Sequence, residues 1–399
     1  AEEASRCLLL MVMCLVLAVI SKEDGLVLVP LVLVLELIFF NGEYAGRQLA
    51  YLPRICAALM LAGLVTGIAI LLLQPAWLAD GYAGRPFDLT ERALTQARLL
   101  WIYLGWFALP DVGAMGLHHD DIVLSRSLMQ PWTTALALLA WVAVLLAMLL
   151  RWQRWWPWHF AILWYLSNHA LESTLYPLEL VYEHRNYLAL FGPSLLVAWL
   201  IWQVMPASGV RPRAVVAGLV VLVCGVQLVQ RSSLWSDEER LALYQMRHHP
   251  ASLRSVYHYA NTQLRLGEAA TEDSEREDRL TLARHYYEQM HELDPTDFTA
   301  LVSLLYLDSR YFSSLASERW ADTLLAVAKE RDLLSVDKNA LSLLYRCVSL
   351  RVCDFADERF RELLALLSER YPQQPYYPDL MARFAGEVIG DYPAAIELH

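Results

Sequence analysis

Apolar residues crowd the first 230 positions in runs, and charged residues return in helical rhythm after Arg231. The runs Cys7 to Ile20, Leu26 to Phe40, Ile55 to Leu73, Leu99 to Leu109, Thr133 to Leu150, His159 to Leu171, Leu188 to Met205 and Ala214 to Gln230 approach the roughly 20 residues that a helix needs to cross about 30 Å of hydrocarbon. They predict a polytopic membrane region over residues 1–230 with about eight apolar helices, several short of a full crossing. The stretch "TERALTQARLLWIYLGWFALP" reads either as a tilted span starting near Leu94 or as an interfacial helix with Trp101, Tyr103 and Trp106 at headgroup level.

Residues 231–399 change character. "SLRSVYHYANTQLRLGE" predicts a helix with Tyr257, Ala260 and Leu264 on one face and a stop at Gly267, and "LTLARHYYEQMHELDPTDFTALVSLLYL" predicts a helix closed by Asp294-Pro295 and running into a third. The small Ala283, the pair Tyr286 and Tyr287 and the Leu293-Asp294-Pro295 ending look like tetratricopeptide repeats. The acidic "EAATEDSERED" predicts a solvated loop. Later segments keep the helix period without the full signature. The expected fold is all-α: a transmembrane helix bundle followed by an α-solenoid of degenerate helical pairs, each unable to bury its apolar stripe alone.

Composition sharpens this picture. Of the 399 residues 57% are hydrophobic, and the net charge of −11 sits mostly after Arg231, where 28 acids face 19 Lys and Arg. Such an acidic, non-basic tail gives no electrostatic footprint for nucleic acid. The first run has one Arg before it and no small-residue cleavage site after it, so it does not read as a signal peptide, and with Ala1-Glu2-Glu3 at its start the chain is expected to begin inside a longer protein. Cys7, Cys14, Cys56 and Cys224 lie in apolar helices as small hydrophobes. Cys347 and Cys353, six apart, would point to different sides of one helix, so no disulfide is predicted. Arg151, Arg154, Arg211 and Arg213 mark cytoplasmic loops by the positive-inside rule, which by parity puts the loop Glu172 to Tyr187 and the C-terminal region on the extracytoplasmic side.

Ionisable residues at a membrane edge are costly, which makes three clusters candidates for function. The first is "YEHRNY", Tyr182 to Tyr187, with Glu172 and Glu179 upstream. Arg185 can hold a phosphate bidentately and His184 can donate to it or relay a proton, as suits a lipid-linked phosphate arriving from the bilayer. The plainer reading pairs Glu183 with Arg185 at a helix start capped by Asn186. The second is "GLHHDDIVLSR", in which His119, Asp120 and Asp121 offer metal ligands or a general base. Adjacent residues rarely converge on one ion without further ligands, and a polar loop with a helix cap explains the His pair as well. The third is "SKEDG", where Ser21 or Asp24 caps a helix and Lys22 snorkels, or where Lys22 and Glu23 belong to a re-entrant turn lining a polar cavity. Glu36, inside "LVLVLELIFF", needs a partner or a neutral state.

"SKEDGLVLVPLVLVLELIFF", "LHHDD" and "ESTLYPLELVYEHRNYLALFGPSLL", followed by tetratricopeptide-like helices, resemble the bacterial relatives of the transmembrane and tetratricopeptide repeat (TMTC) O-mannosyltransferases. The likeness runs from about Lys22 through the repeats, and Glu-His-Arg-Asn-Tyr is its most specific piece. It implies a GT-C-type membrane glycosyltransferase that moves a sugar from a polyprenyl-phosphate donor to a protein or glycan on the outer side of a bacterial inner membrane, with the repeats in the periplasm. It further implies that the acidic pair these enzymes carry after their first helix lies upstream of Ala1. Arg185 with Asn186, Tyr187 and Lys22 would bind the donor phosphate, Glu183 and His184 would serve the reaction with Asp120 or Asp121 beside them, and Glu23, Glu36, Glu172, Glu179 and His119 would line the cavity. A divalent metal is a minor expectation. Two rivals remain: a non-catalytic membrane-anchored scaffold for an envelope or secretion assembly, and a polymerase or ligase of lipid-linked glycans.

Overall fold

The computed structural model describes residues 2–44, 46–49, 51–73, 76–82, 84–150, 155–204, 210–312, 314–334 and 336–398. Among the described residues the regular elements are helices, joined by turns and irregular loops, apart from one pair of two-residue strands, β1 (Glu43–Tyr44) against β2 (Arg47–Gln48). Two compact units emerge: Ala1–Tyr82, Phe87–Met115 and Ile122–Arg231 form one, and Ala83–Pro86, Gly116–Asp121 and Ser232–His399 form the other.

The first unit runs α1 (Glu2–Ser21), α2 (Leu28–Leu35), α3 (Leu52–Leu73), α4 (Ala76–Ala79), α5 (Leu89–Ala108), α6 (Thr133–Leu150), α7 (Trp156–Asn168), α8 (Asn186–Ala189), α9 (Phe191–Val204) and α10 (Val210–Leu234). Among the described residues three segments, Leu52–Leu73, Thr133–Leu150 and Pro212–Leu234, are long and apolar enough to cross a membrane. Little of their surface is buried against the rest of the chain, as expected of helices solvated by lipid. The expected single run Leu26 to Phe40 is instead composite: a 3₁₀ turn (Glu23–Val27), α2, and a π-helical turn (Glu36–Phe40). Glu36 finds its partner locally, accepting from the Gly42 amide at 2.7 Å. The doubtful helix α5 starts five residues before Leu94, at Leu89, because Asp88 and Glu91 form a reciprocal capping box there.

Packing in this unit is aromatic. Leu99 and Tyr103 of α5, Trp141 of α6 and Tyr165 of α7 share a core with Val181 and Ala189, while Leu31 and Val34 of α2 meet Phe160 and Trp164 of α7.

The second unit contains α11 (Glu238–His248), α12 (Leu253–Ala269), α13 (Asp273–Leu293), α14 (Phe298–Tyr311), α15 (Ser314–Glu330), α16 (Asp337–Ser349), α17 (Asp357–Arg370), α18 (Tyr376–Arg383) and α19 (Tyr392–Leu398). Asp237, Ser252 and Asp297 cap α11, α12 and α14 by accepting from the amides of Arg240, Ser255 and Ala300. Helices α11 to α15 pack consecutively, most extensively α12 on α13 and α14 on α15, after which α16 packs on α14 and α17 on α15. One continuous core results, with Ala283, Tyr287, Leu301, Leu304, Leu341 and Leu363 all buried.

Two expectations are overturned here. The acidic stretch is not a loop beyond Ala270–Glu272, because Asp273 onward is the first turn of α13. Acids suit the positive end of a helix dipole, and Arg276 pairs with Asp273 at 2.7 Å and Arg279 with Glu275 at 3.2 Å. Cys347 and Cys353, predicted to stay unpaired, form a disulfide with Cα atoms 5.5 Å apart. The premise of one helix fails: α16 ends at Ser349, and Arg351 at φ 56° turns the chain back on itself. Arg151, Arg154 and the side chain of Arg211, which supported the sidedness reading, lie outside the described residues.

Candidate functional site

Between α7 and the 3₁₀ turn Glu183–Arg185 the chain has no long helix, so its backbone carbonyls and amides need hydrogen-bond partners from elsewhere. Helix α5 supplies them from one face, at positions 92, 96 and 103. The fully buried Arg92 donates to the carbonyl oxygens of Glu172 (2.6 Å), Leu178 (2.5 Å) and Glu179 (3.2 Å). Gln96 donates to Leu180 O at 2.7 Å, and the Tyr103 hydroxyl accepts from the Tyr182 amide at 3.2 Å. From the α4 side, the Tyr82 hydroxyl donates to Leu175 O at 2.6 Å. The charge-assisted bonds from Arg92 are worth about 1.5–3 kcal/mol each and the neutral ones about 0.5–1.5, so the loop is held as a rigid platform.

On that platform Arg185 pairs with Glu172 at 3.0 Å and lies over the Tyr182 ring, 3.8 Å from its centroid. Its buried Nη1 has no aligned hydrogen bond despite the ion-pair distance. Burial raises the Glu172 pKa; Arg185 opposes that rise, Asp24 adds to it and Lys22 opposes it again. Lys22 and Asp24 form their own ion pair, with Lys22 largely exposed. The "SKEDG" turn thus reaches the electrostatic field of the Glu172–Arg185 pair. Gly25 makes that turn fit, since a Cβ there would stand 2.4 Å from the Ala18 carbonyl.

The neighbours differ in orientation. Glu183 is ion-paired with Arg231 of α10. His184 is exposed and sits edge-on to Tyr182, with ring centroids 5.6 Å apart. Asn186 is buried and donates to Tyr182 O at 3.2 Å, whereas Tyr187 and the Glu179 side chain face outward. The side chain of Glu23 lies outside the described residues.

His119, Asp120 and Asp121 belong to the second unit. Asp120 accepts from Ser252 Oγ at 2.5 Å and from the Arg254 amide at 3.2 Å, at the start of α12. Asp121 Oδ2 lies 2.8 Å from His249 Nδ1, and one donor atom each from His119, Asp121 and His249 lie within 4.8 Å of one another. The Asp121 pKa is held below its ordinary value: burial alone would raise it, but the hydrogen bond and charge of His249 outweigh that.

Arg92, Gln96, Arg231, His249 and Ser252 were missed in the sequence. Arg92, Gln96 and Tyr103 carry a signal, a polar stripe at helical spacing on an otherwise apolar helix. His249 carries none, since its partners lie 128 residues away.

No family model, curated protein or solved structure matches the chain.

Proposed function

We propose that this chain is the body of a GT-C-type membrane glycosyltransferase that transfers a sugar from a polyprenyl-phosphate donor to a protein or glycan acceptor on the extracytoplasmic side. One observation carries the reading: Arg185 is held by Glu172 at 3.0 Å and laid over the Tyr182 ring on a loop clamped by buried Arg92, and the charges of Lys22 and Asp24, distant in sequence, also act on Glu172. Two cations and two acids at the ends of apolar helices are what an anionic head group arriving from lipid would meet. Arg185, fixed by Glu172 and stacked on Tyr182, is preorganised to receive a phosphate, and Lys22 adds a point charge. As the sugar leaves, charge develops on the donor phosphate, and a guanidinium already in place stabilises it without reorganisation. His184, exposed beside Tyr182, is a group able to exchange a proton there.

The second unit serves in this reading as a tetratricopeptide-like solenoid for the acceptor or a partner, supported by its pairwise helix packing with Ala283 and Tyr287 at the contact. The Cys347–Cys353 disulfide supports its location in an oxidising periplasm rather than the cytoplasm.

A second reading has its own observation. Glu183 is neutralised by Arg231 and Arg185 by Glu172, as in a purely structural polar layer of an anchored scaffold. Arg185→Ala separates the two. Loss of a glycan or glycoprotein product, with insertion and folding intact, supports the transferase; an unchanged profile rejects it in favour of the scaffold.

A further inference from the structure

We propose that His119, Asp121 and His249 form a binding site for a divalent transition-metal ion, zinc foremost, that fastens the Gly116–Asp121 segment to the α11–α12 junction. Three donor atoms from these residues already lie within 4.8 Å of one another. Zinc bonds of about 2.0–2.2 Å would set them roughly 3.3 Å apart, an adjustment supplied by rotation of the half-exposed His119 ring and a small parting of the Asp121–His249 pair. Two imidazoles and a carboxylate are a nitrogen-rich set that suits zinc, whereas magnesium and calcium favour oxygen ligands.

Three features go beyond an ordinary Asp–His pair. First, Oδ2 of Asp121 engages His249, but its Oδ1 is shielded from solvent with no hydrogen bond, which a cation would relieve. Second, the His119 ring stands edge-on to the His249 ring with centroids 5.5 Å apart, an approach the Asp–His pair does not require. Third, position 116 is glycine, and a Cβ there would stand 3.2 Å from His249 Nε2 and 2.3 Å from Gln245 Oε1. The glycine keeps that edge of the imidazole uncrowded. Asp120 fixes the backbone in register through Ser252 and the Arg254 amide, so the side chains on either side of it, His119 and Asp121, are aimed by a bond they do not themselves make. The remaining coordination position is left to water.

The test uses the full chain in detergent, stripped with a chelator and titrated with Zn²⁺ alone against a chromophoric competitor. The wild type should take up one tight equivalent and gain thermal stability from it. His119→Gln and Asp121→Asn should each weaken uptake by about 100-fold or more and abolish the thermal gain. His119→Gln is decisive because His119 is half-exposed and its replacement leaves the core intact, unlike that of buried His249. His184→Gln, which alters an exposed imidazole elsewhere, should bind as the wild type does. No saturable zinc uptake by the wild type, undiminished uptake by His119→Gln, or equal loss in His184→Gln would each overturn the proposal.

Discussion

Arg92 and Glu172 lie 80 residues apart in the chain, and the buried guanidinium of the first donates to the carbonyl oxygen of the second at 2.6 Å. The same fork holds Leu178 and Glu179, so one side chain fixes the stretch that presents Glu172 to Arg185.

Replacing Arg92 by Ala therefore leaves three carbonyls without their donor and is expected to cost about 3 kcal/mol. Lysine, a point charge without the planar fork, should recover less than half of that. Thermal unfolding in detergent measures both variants, and a melting temperature unchanged in Arg92→Ala would contradict the role given to this residue.

The Glu183–Arg231 pair is mostly shielded, with side-chain exposures of 13% and 27%. A double-mutant cycle with Glu183→Gln and Arg231→Gln should return a coupling of about 1–2 kcal/mol, above that of a surface pair and below that of a fully buried one. Additive effects of the two substitutions would place the pair among exposed, uncoupled charges.

Closure of the short loop between Cys347 and Cys353 should stabilise the second unit by about 2 kcal/mol. Alkylation of the denatured, unreduced protein should leave these two thiols unmodified while Cys14, Cys56 and Cys224 react. Modification of Cys353 without prior reduction would show that the pair is open.

Asp297 titrates in an unusual window. Burial pushes its pKa up to about 6, helped by Asp337 and Asp294 and opposed by the Ala300 amide and Arg331. The protonated acid is thus favoured by folding: its contribution is complete below about pH 4 and is lost as pH rises through about 6, amounting to at most about 3 kcal/mol. Asn keeps the cap to Ala300 without the charge, so Asp297→Asn should be more stable than the wild type at pH 7 and no more stable at pH 4. Parallel stability curves for the two proteins between these pH values would refute this.

What could be read in the sequence was local. Apolar runs announced Leu52–Leu73, Thr133–Leu150 and Pro212–Leu234, and the polar break at Arg231 marked where the second unit's long stretch begins. Hydrophobic period and length reside in neighbouring residues, so no partner is needed to see them. The charged strings of the candidate site were visible for the same reason, as polar residues out of place beside apolar ones. Their partners were not. Glu183 pairs with Arg231 rather than with adjacent Arg185, Arg185 with Glu172, and Asp121 with His249. The acidic stretch became helix because its arginines could reach it one turn away, and the two cysteines met because a turn at Arg351 reversed the chain. The sequence by itself determined which segments are apolar and which residues carry charge, and most of the helices. The tertiary structure decided which charges meet, because ion pairs, carbonyl clamps and disulfides depend on distances in space that loop closure sets and linear order does not.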